Sequence, residues 1–291
     1  MMINLMRSMA SFASVKAKFR RWQYLLLAFL TSLSLVIGSS TIAQAVSWQD
    51  LLRGGIQVIQ GVQLSRLSVK EEVEIGQQIN KNLWETEFKR YENASVNNYV
   101  NRIGQRLVPY NNRSQLPYTF QVVDSNDVNA FATMGGFVYV TTGLMKTATN
   151  EAELAGVIGH EIGHIEGKHL IKQISRSALQ QGVLTAAGAR IERSQVVRLG
   201  LDLAVNLRNS REDERDADDR GLRIMGSAGY AQSAMASFMR KLQGGNNLEF
   251  LSTHPSSSSR VQDLERGIDP TKTGTDGLDP ATYRSEIQPL L

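Results

Sequence analysis

The sequence predicts an α+β fold, mostly helical with one small sheet. Three observations predict it. Apolar residues recur at helical spacing before Pro117 and again after Gly143. Between those points the pattern changes to strand-like alternation interrupted by glycines. At 291 residues and 42% apolar content, the chain can also bury a sizeable core.

In chain order, residues 1–45 read as a leader. Arg7, Lys16, Lys18, Arg20 and Arg21 form a basic stretch without an acid, Tyr24 to Ile37 an apolar run, and Ala43-Gln44-Ala45 a small-x-small site before Val46. This is the order of a secretory signal peptide, with cleavage expected after Ala45. The apolar run has 14 residues, short of the ~20 that span a bilayer comfortably. An uncleaved N-terminal anchor is the other reading, and either one places the rest of the chain outside the cytoplasm. The leader also explains the charge. The whole chain carries 32 basic and 28 acidic residues, net +4; without the leader's five basic residues it is 27 against 28, net −1. No nucleic-acid partner is therefore expected. Cysteine is absent, which excludes disulfides, thiolate ligands and lipid attachment through an N-terminal cysteine.

Residues 46–67 form an extension of mixed pattern, broken by Gly54-Gly55. Ser68 with Glu71 three residues on is a capping box, and Val73, Ile75, Ile79, Leu83 and Trp84 predict a helix to about Tyr91. Ser95 is the expected cap of a second helix, about 96–107, with Tyr99, Val100, Ile103 and Leu107 on one side. Tyr118 to Val123, Asn129 to Thr133 and Phe137 to Thr142 read as three strands, the last two joined at Gly135-Gly136. Asn150, with Glu153 three residues later, starts the next helix, and further helices are expected at about 170–189, 193–208, 210–226, 231–242 and 258–267. From Gly267 the chain is rich in Asp, Thr, Gly and Pro, and residues 269–291 are expected to be an irregular tail.

The chemistry centres on Gly159-His160-Glu161-Ile162-Gly163-His164. Two histidines four apart lie ~40° from each other around a helix and ~6 Å along it, so both imidazoles can reach one ion. This is the HExxH pattern of zinc peptidases, in which a water beside the metal becomes acidic and the glutamate takes its proton. Leu154, Val157, Ile158, Ile162 and Ile165 make the same helix largely buried, where unpartnered His and Glu would be costly.

A third ligand has two sources. One zincin class uses HExxHxxGxxH; Gly167 fits it, but Leu170 occupies the required position and His169 is one residue early. On a continuous helix His169 lies about 180° from His160 and points away from the ion, as a helix-end residue or one behind the ligands. The other class takes a Glu from a later helix, and the acidic run Ser210 to Asp219 could supply it.

Several stretches together resemble the CAAX prenyl endopeptidase family of zinc metallopeptidases, which includes HtpX-type enzymes, and among them its soluble exported bacterial members. These are His160 to His164 with His169, Ser210-Arg211-Glu212-Asp213-Glu214-Arg215-Asp216-Ala217-Asp218, His254-Pro255 with Arg260, and Asn129 to Ala132 followed by Gly135-Gly136 and Gly143-Leu144. The resemblance covers roughly residues 68–268. It implies a gluzincin-like domain whose sheet carries an edge strand beside the HExxH helix. It implies one Zn2+ held by His160, His164 and Glu214, with Glu161 as the base. Asp218 would hydrogen-bond a ligating histidine, His160. Asn129, Ala130, Phe131 and Ala132 would bind substrate as an added strand. His254 would stabilise the oxyanion or cover the empty site, and Arg260 would tie its loop to the body. The function implied is a metalloendopeptidase acting on protein or peptide chains, namely unfolded or misassembled envelope proteins, in the periplasm or otherwise outside the cytoplasm, with membrane association if the N-terminus stays uncleaved. The rival is a zinc-stabilised, chaperone-like binding protein with little turnover, for which an intact base has no use.

Overall fold

In chain order the elements are β1 (Gly61–Val62), α1 (Val69–Asn82), α2 (Ala94–Leu107), β2 (Thr119–Val123), β3 (Ala130–Ala132), β4 (Phe137–Thr141), α3 (Thr142–Thr147), α4 (Glu151–Glu166), α5 (His169–Gln180), β5 (Ile191–Glu192), α6 (Arg193–Asn206), α7 (Arg211–Ser227), α8 (Ser233–Gln243), α9 (Leu248–Thr253), α10 (Ser258–Gly267) and α11 (Pro280–Glu286). This computed structural model describes residues 61–182, 190–206, 209–244, 248–255 and 258–291. The leader and residues 46–60 of the extension lie outside the described residues, as does the end of the helix expected at 170–189. The described residues fall in one unit, 60–291.

The fold is mostly helical around a three-stranded mixed sheet of order β2-β4-β3, as the sequence predicts. β4 is central, parallel to β2 and antiparallel to β3. It is buried on both faces, which is why it reads as a continuous Phe-Val-Tyr-Val run. Val138 and Val140 point into a core made with α2, α4, α7 and α8. Phe137 and Tyr139 point the other way, into a core made with α1, α5 and α6. The β3–β4 connection needs backbone that few side chains tolerate. Gly135 and Gly136 have φ of 79° and 93°, and a Cβ on Gly135 would lie 3.0 Å from Val73 Cα.

The capping boxes behave locally as expected. Ser68 and Glu71 exchange bonds at the start of α1, and Asn150 accepts from the Glu153 N–H at the start of α4. Several boundaries differ. α1 ends at Asn82 and passes through a wide π turn, Leu83–Glu87, into extended chain at Phe88; there Trp84 donates its indole N–H to Asn80 and Gln121. α2 begins at Ala94, because Asn93 rather than Ser95 accepts the Val96 N–H. The segment after Gly267 is not an irregular tail throughout. Asp279 caps α11, Pro280 sits in its first turn, and Tyr283 and Ile287 enter the main core, with the Tyr283 hydroxyl donating to Met145 O at 2.6 Å. The short β1–β5 pair and α9 are further elements that the sequence pattern does not announce.

Two helices determine the site. α4 is buried along nearly its whole length and packs closely on α7. Small residues make this possible: Gly159 and Gly163 on α4 face Gly221 and Ala217 on α7, and a Cβ on Gly163 would lie 2.7 Å from Ala217 O.

Candidate metal centre

α4 presents His160 and His164 one turn apart, as helical geometry requires. α7 opens with Ser210 as its cap and Glu212, Asp213 and Glu214 in its first turn, where the helix dipole favours acids. Close contact of the two helices brings Glu214 against both imidazoles. His164 Nε2 is 3.0 Å from His160 Nε2 and 3.2 Å from Glu214 Oε1, and His160 Nε2 is 3.5 Å from Glu214 Oε2. Four donors, from His160, His164, Glu214 and His254, lie within 4.8 Å of one another. All four residues are buried.

The spacing tests whether zinc fits. Ligand atoms about 2.05 Å from a tetrahedral ion are about 3.3 Å apart. The imidazole–imidazole separation is 3.0 Å, and those from His164 to Glu214 Oε1 and from His160 to Glu214 Oε2 are 3.2 and 3.5 Å, all close to that edge. Without a cation, several buried imidazoles and carboxylates would crowd one another at high cost. The donor set of imidazole nitrogen and carboxylate oxygen suits zinc.

The surrounding groups orient the donors. His160 Nδ1 lies 2.9 Å from Asp218 Oδ1, a contact whose distance, more than its angle, suits a hydrogen bond. Arg260 is buried and reaches further than a loop tie. Its Nε and Nη2 hold both oxygens of Asp218 at 2.8 and 2.7 Å, and its Nη1 is 2.7 Å from Glu214 Oε2. This contact was not legible in the sequence; only the presence of an arginine six residues after His254 hinted at it. Burial works to raise the Glu214 carboxyl, but His254, His160 and His164 outweigh it and hold it well below the usual range. At His160, burial is likewise outweighed, by Asp218 and Glu214, and the imidazole is held up at about 10. At His164 burial prevails and holds it down, to about 3. A ligating imidazole must be neutral, so a cation binding at His160 would release any proton held there.

Glu161 is buried beside these groups. Burial pushes its carboxyl up, its Oε1 has no hydrogen-bond partner, and that oxygen lies 3.6 Å from His254 Nε2. An unpartnered carboxylate oxygen with a raised pKa is suited to taking a proton.

His254 enters from the segment after α9. Its Nδ1 is 3.1 Å from Glu214 Oε1 and 3.3 Å from His160 Nε2, and its Nε2 is 3.2 Å from Ala130 O. Ala130 lies on β3, the edge of the sheet. Asn129 and Thr133 bond to Thr141 and Phe137 of β4, so the antiparallel alternation turns the main-chain groups of Ala130 and Ala132 to the open edge. Phe131 points back into the core against Tyr139, and Asn129 Oδ1 receives the Thr253 hydroxyl at 3.4 Å. A cleft runs between this edge and α5, with Phe131, Met134, Ile165, Leu170, Ile171 and Ala204 in its wall.

His169 does not point away from the cluster. α4 ends at Glu166, and Lys168 adopts the left-handed region at φ 55°. The continuous-helix angle therefore no longer applies, and the chain turns His169 back until its Nδ1 is 2.8 Å from His164 Nδ1.

A metal-donor cluster with a buried glutamate at its side and a sheet edge across the cleft is the layout of a zinc metallopeptidase. The chain belongs to peptidase family M48, whose profile matches residues 94–268, more than half of its length. It is 29% identical over 181 residues to the Beta-barrel assembly-enhancing protease of Escherichia coli (strain K12), covering 57% of this chain and 37% of that one. It is 30% identical over 176 residues to the Mitochondrial metalloendopeptidase OMA1 of Schizosaccharomyces pombe, covering 58% and 52%. It is 32% identical over 163 residues to the Metalloprotease LoiP of Escherichia coli (strain K12), covering 53% and 64%. The chain thus spans about two fifths to two thirds of the length of these relatives.

Proposed function

We propose that this chain is a zinc-dependent endopeptidase that cuts extended or misassembled proteins outside the cytoplasm, with His160, His164 and Glu214 as zinc ligands and Glu161 as the general base. The observation that carries the reading is the clustering of three buried side chains, with the two imidazole nitrogens 3.0 Å apart, His164 3.2 Å from Glu214 Oε1 and His160 3.5 Å from Glu214 Oε2. Zinc bound there supplies Lewis acidity to the scissile carbonyl and to the attacking water. The chain's own groups do the rest. Glu161 accepts the proton of the water and returns it to the leaving amine. Asp218 holds the His160 ring from behind, and Arg260 fixes Asp218 and Glu214. A substrate segment lies along β3 as an added strand from Asn129 to Ala132, bonding to Ala130 and Ala132, so recognition is chiefly through the main chain.

His254 has two parts in this account. In the arrangement described here it engages the Ala130 carbonyl that a substrate strand needs, so it covers the site. Once displaced, its ring N–H would serve as a donor to the oxyanion. The name of the Escherichia coli relative supports substrates among envelope proteins, and the leader supports a periplasmic or other extracytoplasmic setting. Among the described residues no helix is long and apolar enough to cross a membrane. The motif around His254, Pro255 and Arg260 supports a place near the HtpX-like branch of the family. The domain bounds that accompany this reading are a leader to residue 45 and a peptidase domain from about 68 to 268, with α11 bracing it.

Glu161→Gln tests the reading. It should keep bound zinc and lower the digestion of casein by about 10²–10⁴-fold, the range of a lost general base. Undiminished cleavage would remove Glu161 from the mechanism. Client binding without any chelator-sensitive cleavage in the wild type would favour the chaperone-like alternative.

A further inference from the structure

We propose that His169 is a positioning residue that sets the tautomer and orientation of His164, relaying its ring to the Asp216 carboxylate. The inference rests on the zinc reading of the donor cluster and concerns a residue that reading leaves without a role.

His164 Nε2 faces His160 Nε2 and Glu214 Oε1, so this nitrogen must offer its lone pair if the cluster is to hold a cation. A neutral imidazole then carries its proton on Nδ1. His164 Nδ1 has an acceptor in place: His169 Nδ1, at 2.8 Å. Accepting there requires His169 to carry its own proton on Nε2, and that nitrogen meets Asp216 Oδ2 at 3.0 Å. Asp216 is fixed in turn by Arg220 Nε at 2.8 Å, and the same guanidinium bonds Glu166 at 2.5 Å. Each nitrogen along the line has one donor or acceptor task. With both of its nitrogens so engaged, His169 has none left for a metal.

The backbone at this corner is shaped for the relay. A Cβ on Gly167 would lie 2.4 Å from His169 Nε2 and 2.8 Å from Asp216 Oδ2, so only glycine lets the ring and carboxylate meet across it. Lys168, in the left-handed region at φ 55°, takes up a conformation that L-residues rarely adopt. His169 itself is buried, 1% exposed. The two histidines of α4 thus share one plan, a carboxylate behind each ring: Asp218 directly behind His160, and Asp216 behind His164 through an imidazole.

Two variants and one spectrum test this on the full chain. His169→Phe keeps an aromatic ring but offers no acceptor, and should weaken zinc binding, measured by chelator competition, by about 10–100-fold. His169→Asn restores an oxygen near the Nδ1 position and should stay within about threefold of wild type, a rescue that a packing role would not give. Long-range 1H–15N spectra of the metal-free chain should show His164 protonated on Nδ1 and His169 on Nε2, with the His164 preference lost in His169→Phe. If His169→Phe does not fold, the wild-type spectrum and the His169→Asn titration still decide. Wild-type zinc affinity in His169→Phe, equal losses in both variants, or a His164 protonated on Nε2 would each overturn the relay. A wild-type chain that takes up no zinc would instead overturn the reading on which the relay rests.

Discussion

Arg260 shows what one buried charge does in this molecule. It lies within hydrogen-bonding distance of Asp218 and Glu214, and all three side chains are nearly solvent-free. Removing the guanidinium leaves two carboxylates in a dry site, and breaking such a pair costs about 3–5 kcal/mol. Arg260→Met should therefore lower the urea-unfolding free energy of the metal-free chain by that amount. Arg240, whose pair with Glu265 is exposed, should change it by less than about 1 kcal/mol when replaced in the same way. A small effect at Arg260 would mean that the two carboxylates find other partners. Residues of this kind mark the limit of legibility. His160, Glu161 and His164 could be read from the sequence because their relation is local, set by one turn of helix. Glu214 and Asp218 needed a resemblance, since an acidic run on its own is more often a solvated face. Nothing local announced that Arg260 touches Glu214.

Among elements, the α4–α7 contact carries the site, because His160 and His164 lie on α4 and Glu214 on α7, and a small change in their separation moves Glu214 away from the imidazoles. The seam distinguishes its own glycines. A Cβ at Gly163 would lie 2.7 Å from the backbone oxygen of Ala217, whereas one at Gly159 would meet Gly221 O at 3.4 Å, an ordinary contact. Gly163→Ala should destabilise the fold by about 1–3 kcal/mol and weaken zinc binding as well. Gly159→Ala should be neutral or gain up to about 1 kcal/mol from helix propensity. Thermal unfolding with zinc titration on the two variants checks the contrast, and similar behaviour of both would contradict a close-packed seam. At this scale the sequence pattern was informative for long periodic segments and weaker at their ends. The angle of His169 around α4 was misjudged because the helix was carried past Glu166, and a left-handed lysine leaves no mark in hydrophobic periodicity, but its place behind a ligating histidine was among the readings. The C-terminal segment was read as a tail because its composition is that of a loop. Asp279-Pro280 is nonetheless a helix start, and Tyr283 is a core residue.

Across the described residues, a small sheet with β3 at one edge is set between two helical cores, and α4 runs beside that edge. The central strand was legible because burial on both faces gives a continuous apolar run. The packing of α7 against α4 was not, since it depends on contacts between residues far apart in the chain. A local motif, a glycine seam and a helix start together bring His160, His164 and Glu214 to one place, where we propose that the metal binds. Zinc quantification joined to zinc K-edge X-ray absorption on the purified chain examines that convergence directly. The account predicts one zinc per chain, with two imidazole nitrogens and a carboxylate oxygen at about 2.0–2.2 Å, and loss of stoichiometric zinc in Glu214→Gln. A chain that takes up no zinc, or a Glu214→Gln variant with an unchanged metal content and coordination spectrum, would contradict it.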